Sequence, residues 1–156
     1  MNKLYYSYEM FKNDTLKLLF LCKNFKEDAI LSIARGGLTL SHLMSQALNQ
    51  RNIFTINTIS YDRKTQKDSI EIFNIPNLGG LKKVLIVDDI IDSGQTINEV
   101  LKLLKDKYPN IDFKIATLFY KDEAVIKPDF SVKKAETWIE FFWEVDLDLE
   151  DRNDNR

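Results

Sequence analysis

The sequence predicts an α/β fold in which a mostly parallel sheet is flanked by helices, and three observations carry that prediction. Short, continuously apolar runs at 29–34 and 84–87 have the length and composition of strands buried on both faces. Segments with apolar residues at helical spacing lie between such runs, so strands and helices alternate along the chain. Polar and glycine-containing segments follow the apolar runs directly, where open α/β sheets form their ligand crevices.

Each element has a local cause. Ser7 is suited to cap a first helix reaching Cys22, in which Tyr8, Phe11, Thr15, Leu18, Leu19 and Cys22 recur at helical spacing. Residues 29–34 form the first apolar strand, broken by Arg35-Gly36-Gly37. A second helix presents Leu40, Leu43, Met44, Ala47 and Leu48 on one face. Residues 53–61 and 69–75, rich in β-branched side chains, read as strands joined by an exposed, mobile loop at 62–68. A connector containing Gly79-Gly80 leads into the strand 84–87, and 88–96 reads as a polar loop. Ile97, Val100, Leu101, Leu104 and Tyr108 mark a third helix ending before Pro109, and 113–120 is a further strand.

A chain of 156 residues fits one domain, expected over 1–149, with a polar and disordered tail at 150–156. Cys22 is the sole cysteine, which excludes an internal disulfide and suits a reducing, cytoplasmic setting. No apolar signal core opens the chain and no apolar run approaches membrane-spanning length. Residues 140–156 carry seven acidic and two basic residues, leaving the body with a net charge of +3. Neither part has the strongly basic footprint of a nucleic-acid binder.

The segment richest in chemistry runs Val84-Leu85-Ile86-Val87-Asp88-Asp89-Ile90-Ile91-Asp92-Ser93-Gly94-Gln95-Thr96. A buried strand ends at two adjacent carboxylates, and a short loop of small and hydroxyl-bearing residues then enters a helix. Backbone N–H groups at such a helix start can converge on an anion. Paired carboxylates beside it suit a phosphorylated sugar, whose vicinal hydroxyls they can accept from.

This segment resembles the phosphoribosyl-pyrophosphate signature of the purine phosphoribosyltransferases. Ile33-Ala34-Arg35-Gly36-Gly37 looks like that family's pyrophosphate loop, Ser60-Tyr61 like the opening of its flexible catalytic loop, and Trp138-Ile139-Glu140 with Trp143 like the closing motif of the bacterial xanthine-guanine enzymes. The resemblance implies the type I fold with a small C-terminal base-binding hood, formed largely by 121–145. It implies transfer of 5-phosphoribosyl from phosphoribosyl pyrophosphate to a 6-oxopurine (guanine, xanthine or hypoxanthine), with a nucleoside monophosphate as product and Mg²⁺ as cofactor.

Residue by residue, the resemblance assigns Asp88 and Asp89 to the ribose hydroxyls, Asp89 directly and Asp88 indirectly to the metal, and Asp92 to the purine N7 as general acid or base. Ser93, Gly94, Gln95 and Thr96 would hold the 5′-phosphate; Arg35, Gly36 and Gly37 the pyrophosphate, across a non-proline cis peptide between Ala34 and Arg35. Lys67 takes the basic position of the flexible loop. Lys121 would donate to the 6-oxygen as a buried ammonium, Trp138 would stack on the base, and the Ile139 carbonyl would meet the 2-substituent. A homo-oligomer, dimer or tetramer, is also implied. Ser93, Gln95, Lys67 and Phe142 depart from the commonest family residues, and Phe142 replaces a frequent proline in the base-binding motif.

Blander readings stand beside these. An acidic pair after an apolar strand also occurs in receiver domains and nucleotide hydrolases, but only 67 residues follow Asp89 and no G-x-x-x-x-G-K-[ST] loop is present. His42 reads as helix surface and Cys22 as core packing. The alternative from another class is a regulator of this fold that senses ligand and binds nucleic acid; the sequence pI of 5.5 weighs against it.

Overall fold

The computed structural model describes residues 2–61 and 69–147. The chain forms β1 (Lys3–Tyr6), α1 (Tyr8–Cys22), β2 (Ala29–Ala34), α2 (Leu38–Leu48), β3 (Ile53–Tyr61), β4 (Ser69–Phe73), β5 (Lys83–Ile91), α3 (Gln95–Lys107), β6 (Asp112–Tyr120), β7 (Phe130–Lys134) and β8 (Trp138–Phe141). Six strands make one sheet in the order β4-β3-β2-β5-β6-β7, parallel throughout except for β4 at its edge.

Burial on both faces explains the apolar runs. Ile30, Leu85 and Val87 point to one side and pack with Phe11 and Leu18 of α1 and Leu40 and Met44 of α2. Leu31, Ile33, Val84 and Ile86 point to the other and pack with Ile97, Val100 and Leu104 of α3. The side-chain period of two thus sends alternate residues into two separate cores. Ser7 caps α1 as expected, its Oγ accepting from the Met10 N–H at 3.2 Å. His42 is exposed and Cys22 buried, also as expected.

The structure departs from the sequence reading in three places. The strand read as 84–87 continues through Asp88 and Asp89 to Ile91, because pairing with β6 extends to Tyr120. The segment 88–96 is therefore strand, a brief turn and the first residues of α3, not one loop. The strands β1, β7 and β8 lacked a periodic signal strong enough to announce them. Finally, the hood is not purely C-terminal. Within 121–145, β7 extends the main sheet, while β8 pairs with β1 from the other end of the chain. The loop at 62–68, with Lys67, and the tail at 150–156 lie outside the described residues.

β1 is fastened from within. Tyr6 is fully buried; its hydroxyl donates to Asp14 at 2.9 Å and its ring meets Phe119 and Phe141 edge-on. Asp14, itself buried, also pairs with Lys133 of β7 at 2.8 Å. One carboxylate therefore joins β1, α1 and β7. Asp14→Ala should lower unfolding stability by about 2–3 kcal/mol, since it strips partners from a buried hydroxyl and from Lys133. Denaturant titration checks this; an unchanged midpoint would show that the network contributes nothing. Burial also pushes the Cys22 thiol up to about 12. The folded protein should resist thiol-reactive reagents at pH 8 and become labelled only on unfolding, as mass spectrometry can follow.

Candidate active site

The carboxyl end of the parallel sheet carries two cavities. The larger, about 760 Å³, is lined by Arg35, Gly36, Asp88, Asp89, Gly94 and Thr96, among others. The second, about 650 Å³, is lined by Lys121, Trp138 and Ile139. They meet: Asp89, Ile90, Asp92 and Glu144 belong to both walls. The site is thus two-lobed, with Asp92 at the junction.

Why the acidic pair sits where it does follows from the strand beneath it. Asp88 and Asp89 end the buried part of β5, and each carboxylate accepts from the next backbone N–H: Asp89 N–H to Asp88 Oδ1 at 2.9 Å, Ile90 N–H to Asp89 Oδ1 at 2.7 Å. Burial, and then the charge of its neighbour, pushes the Asp88 carboxyl well above the usual carboxylate range. Asp89 is raised chiefly by burial, with Glu144 adding to the effect. Such a pair favours a cation between or beside it. Two carboxylates are too few to hold one alone, and among the described residues no group of three or more His, Cys, Asp or Glu could do so. The donor set fits a divalent ion whose remaining ligands come with a substrate and water.

The adjoining loop is shaped by the same pair. A Cβ on Gly36 would stand 2.7 Å from Asp89 Oδ1 and 2.9 Å from Asp88 Oδ1. On Gly37 it would stand 2.3 Å from the Val87 carbonyl oxygen. Only glycine lets this turn close over the strand end. The peptide between Ala34 and Arg35 is cis, as the resemblance implied, and Arg35 is exposed at the cavity mouth.

On the other side, Gly94 takes φ of +79° as it enters α3, which places the first free N–H groups of that helix at the cavity. The turn is pinned by Val125 N–H to the Ser93 carbonyl at 2.9 Å, and Ser93 Oγ accepts from the Gln95 N–H at 3.3 Å. Ser60, near the end of β3, has its hydroxyl 3.2 Å from that of Thr96, so the end of β3 and the start of α3 come together there. Gly94 and Thr96 line the larger cavity, whereas Ser93, Gln95 and Gly37, which adjoin lining residues, are not part of its wall.

In the second lobe, Lys121 Nζ lies 2.5 Å from Asp92 Oδ1. The Lys121 ammonium is held above its ordinary value, first by that hydrogen bond, so it stays charged at neutral pH. Its side chain is one-third exposed, at 33%, which corrects the expectation of a buried ammonium. Trp138 is exposed, with its ring available for stacking, while the next residue of β8, Ile139, is buried. Sequence reasoning missed Glu144 and Thr58, which also line the cavities. It also gave Trp143 no role, although Trp143 stacks on Phe141 and lines the larger one. Glu144 has a local cause visible only in the fold: it accepts from the Phe141 N–H at 3.1 Å, closing the turn after β8.

Comparison with known proteins places this geometry. The phosphoribosyl transferase domain family matches residues 13–150. The chain belongs to that family. Its similar structures include a Helicobacter pylori xanthine-guanine-hypoxanthine phosphoribosyltransferase, 41% identical, covering 92% of this chain and 95% of the other with a TM-score of 0.86. A purine phosphoribosyltransferase from Pyrococcus horikoshii is 31% identical, covering 96% and 99%, with a TM-score of 0.82. A xanthine-guanine phosphoribosyltransferase from Cereibacter sphaeroides is 32% identical over 124 residues, 76% of this chain and 70% of the relative. This phosphoribosyltransferase therefore falls with the enzymes of purine salvage. Among its described residues no helix is long and apolar enough to cross a membrane.

The two glycines of the loop give separable outcomes. Gly37→Ala should cost about 2 kcal/mol of stability through overpacking against the Val87 carbonyl. Gly36→Ala should leave stability nearer normal but weaken phosphoribosyl pyrophosphate binding, since its methyl intrudes on the acidic pair. Thermal unfolding and calorimetric titration of both variants check this; equal stability losses would contradict it.

Proposed function

We propose that this phosphoribosyltransferase transfers the 5-phosphoribosyl group of phosphoribosyl pyrophosphate to a 6-oxopurine and releases pyrophosphate. The observation that carries the reading is the Asp92–Lys121 pair at the junction of the two cavities. A 6-oxopurine presents an N7–H donor and an O6 acceptor side by side. An acidic acceptor and a cationic donor 2.5 Å apart are the complement of that edge.

The larger cavity takes the phosphoribosyl donor. Asp88 and Asp89 accept from the ribose hydroxyls, the start of α3 with Ser93, Gly94, Gln95 and Thr96 holds the 5′-phosphate, and Arg35 with the Gly36-Gly37 turn faces the pyrophosphate. Asp89 directly and Asp88 indirectly would hold a magnesium ion that comes with the substrate, and that ion would supply charge neutralisation for the leaving pyrophosphate. In the second cavity Trp138 stacks on the base, the Ile139 carbonyl faces its 2-position, and Lys121 donates to the 6-oxygen. Asp92 takes the N7 proton as the other imidazole nitrogen, N9, attacks the ribose C1. Positive charge grows at C1 as the bond to pyrophosphate lengthens, and the adjacent carboxylates favour it. Water is the competing nucleophile at C1, so turnover requires that bound substrates exclude it there. The setting is the cytoplasm, and the purine nucleotide is the product.

Adenine offers an amino group where Lys121 requires an acceptor. Because Lys121 is partly solvated, the penalty is below that of a fully buried charge, and discrimination on the order of 10²-fold follows. Lys121→Met should lower kcat/KM for hypoxanthine while leaving the small adenine rate unchanged. Asp92→Asn should lower turnover by about 10²-fold with phosphoribosyl pyrophosphate binding retained. Steady-state kinetics with each base decide. Adenine used as well as hypoxanthine by the unmodified enzyme would overturn the role of Lys121, and near-normal turnover of Asp92→Asn that of Asp92.

A further inference from the structure

The base lobe is short of hydrogen-bond donors. Asp92, Glu123, Glu136 and Glu144 all line it, and each ionised carboxylate only accepts. Lys121, the lining ammonium, is committed by its ion pair to the edge of the base beside Asp92. At the 2-position the three 6-oxopurines differ: guanine carries an amino group, hypoxanthine a hydrogen, xanthine an oxygen. The Ile139 carbonyl suits the amino group but would meet the xanthine oxygen acceptor to acceptor. A base with a 2-oxygen needs a donor from elsewhere.

The N-terminal strand brings one. Asn2 lines the same cavity, together with Thr137. The parallel register pairs Lys3 with Trp138 and Leu4 with Ile139, so Asn2 comes alongside the residue preceding the stacking tryptophan. With a side-chain period of two, Asn2 shares a strand face with Leu4 and Tyr6. Tyr6 is fully buried and Leu4 packs on the same core, so this is the inward face. At Asn2 the core gives way to the cavity.

The strand that Asn2 directly precedes, β1, is fixed in place. Tyr6 is tied to Asp14 and packed between Phe119 and Phe141, and its carbonyl accepts from Phe142 N–H at 3.0 Å. A carboxamide offers an NH₂ donor and a carbonyl acceptor on one group. It can therefore serve either 2-substituent by turning over.

We propose that Asn2, presented to the base pocket by the N-terminal strand, selects at the purine 2-position: its amide N–H donates to the xanthine 2-oxygen, and its amide oxygen accepts from the guanine 2-amino group. The proposal rests on the reading of the chain as a 6-oxopurine phosphoribosyltransferase. Hypoxanthine, with no 2-substituent, reports on fold and chemistry independently of Asn2.

The test compares kcat/KM for xanthine, guanine and hypoxanthine in the unmodified enzyme, Asn2→Ala, Asn2→Asp and Thr137→Val. Asn2→Ala should lower xanthine use by about 10-fold and leave hypoxanthine within about twofold, as expected for one lost hydrogen bond. Asn2→Asp removes the donor and adds a charge; xanthine use should fall further, to about 10²-fold, while guanine use is kept. The reversal between the two bases is a result that a merely structural role does not produce. Equal losses for all three bases, an unchanged xanthine rate, or xanthine selectivity that follows Thr137 instead would overturn the proposal. So would an unmodified enzyme that uses hypoxanthine and guanine but not xanthine. An enzyme that turns over no base at all would refute the functional reading itself, and the selectivity proposal with it.

Discussion

Asp88 and Asp89 set two adjacent carboxylates at the end of a strand buried on both faces, and the surrounding chain is arranged around the demand they make. Burial and the neighbouring charge push Asp88 upward, and burial, with Glu144 adding to it, lifts Asp89. The nearest loop can approach only because Gly36 and Gly37 lack a Cβ, which at Gly36 would stand 2.7 Å from the Asp89 carboxylate. Backbone N–H groups from Asp89 and Ile90 meet part of the charge. The rest calls for a cation and for hydroxyl donors. In the proposed function a magnesium-bearing phosphoribosyl donor would bring both, with its phosphate at the start of α3.

The base lobe depends on a different constraint, the joining of the two ends of the described chain. β1 and β8 form a two-stranded sheet of their own, and among the described residues neither has another strand to pair with. They hold through side chains: Tyr6 against Phe119 and Phe141, and Asp14 linking Tyr6 to Lys133. This fixes Trp138 at the pocket rim and places Lys121, at the end of β6, opposite it. Asp92 lines both cavities and pairs with Lys121, which is why the proposed function gives it the central role.

Much of this was legible in the sequence, for identifiable reasons. β2, β5 and β6 are buried on both faces over most of their length, so apolar residues dominate them and announce them in spite of Ser32, Lys114 and Thr117. The acidic pair, Arg35 and the 93–96 turn stand out because each interrupts an apolar run at a strand end. The short strands β1, β7 and β8 carry mixed residues such as Lys3, Tyr5, Lys133 and Glu140, because each is exposed on one side. Their pairing is a tertiary fact with no local signature. Glu144 and Asn2 were missed on the same ground: neither belongs to a spaced motif, and both reach the site only through the β1–β8 register. The buried ammonium expected at Lys121 failed because the end of β6 opens onto the cavity rather than into the core.

The central claim is that the acidic pair accepts its substrate together with a cation. Calorimetric titration of phosphoribosyl pyrophosphate into the enzyme, with magnesium and then with the metal chelated, tests it most directly. Binding should be firm with magnesium and weaker by about 10²-fold or more without it, because a bare pyrophosphate would then face Asp88 and Asp89 unscreened. Replacing both with asparagine should largely abolish that metal dependence. Equal affinity with and without magnesium in the unmodified enzyme would contradict the account.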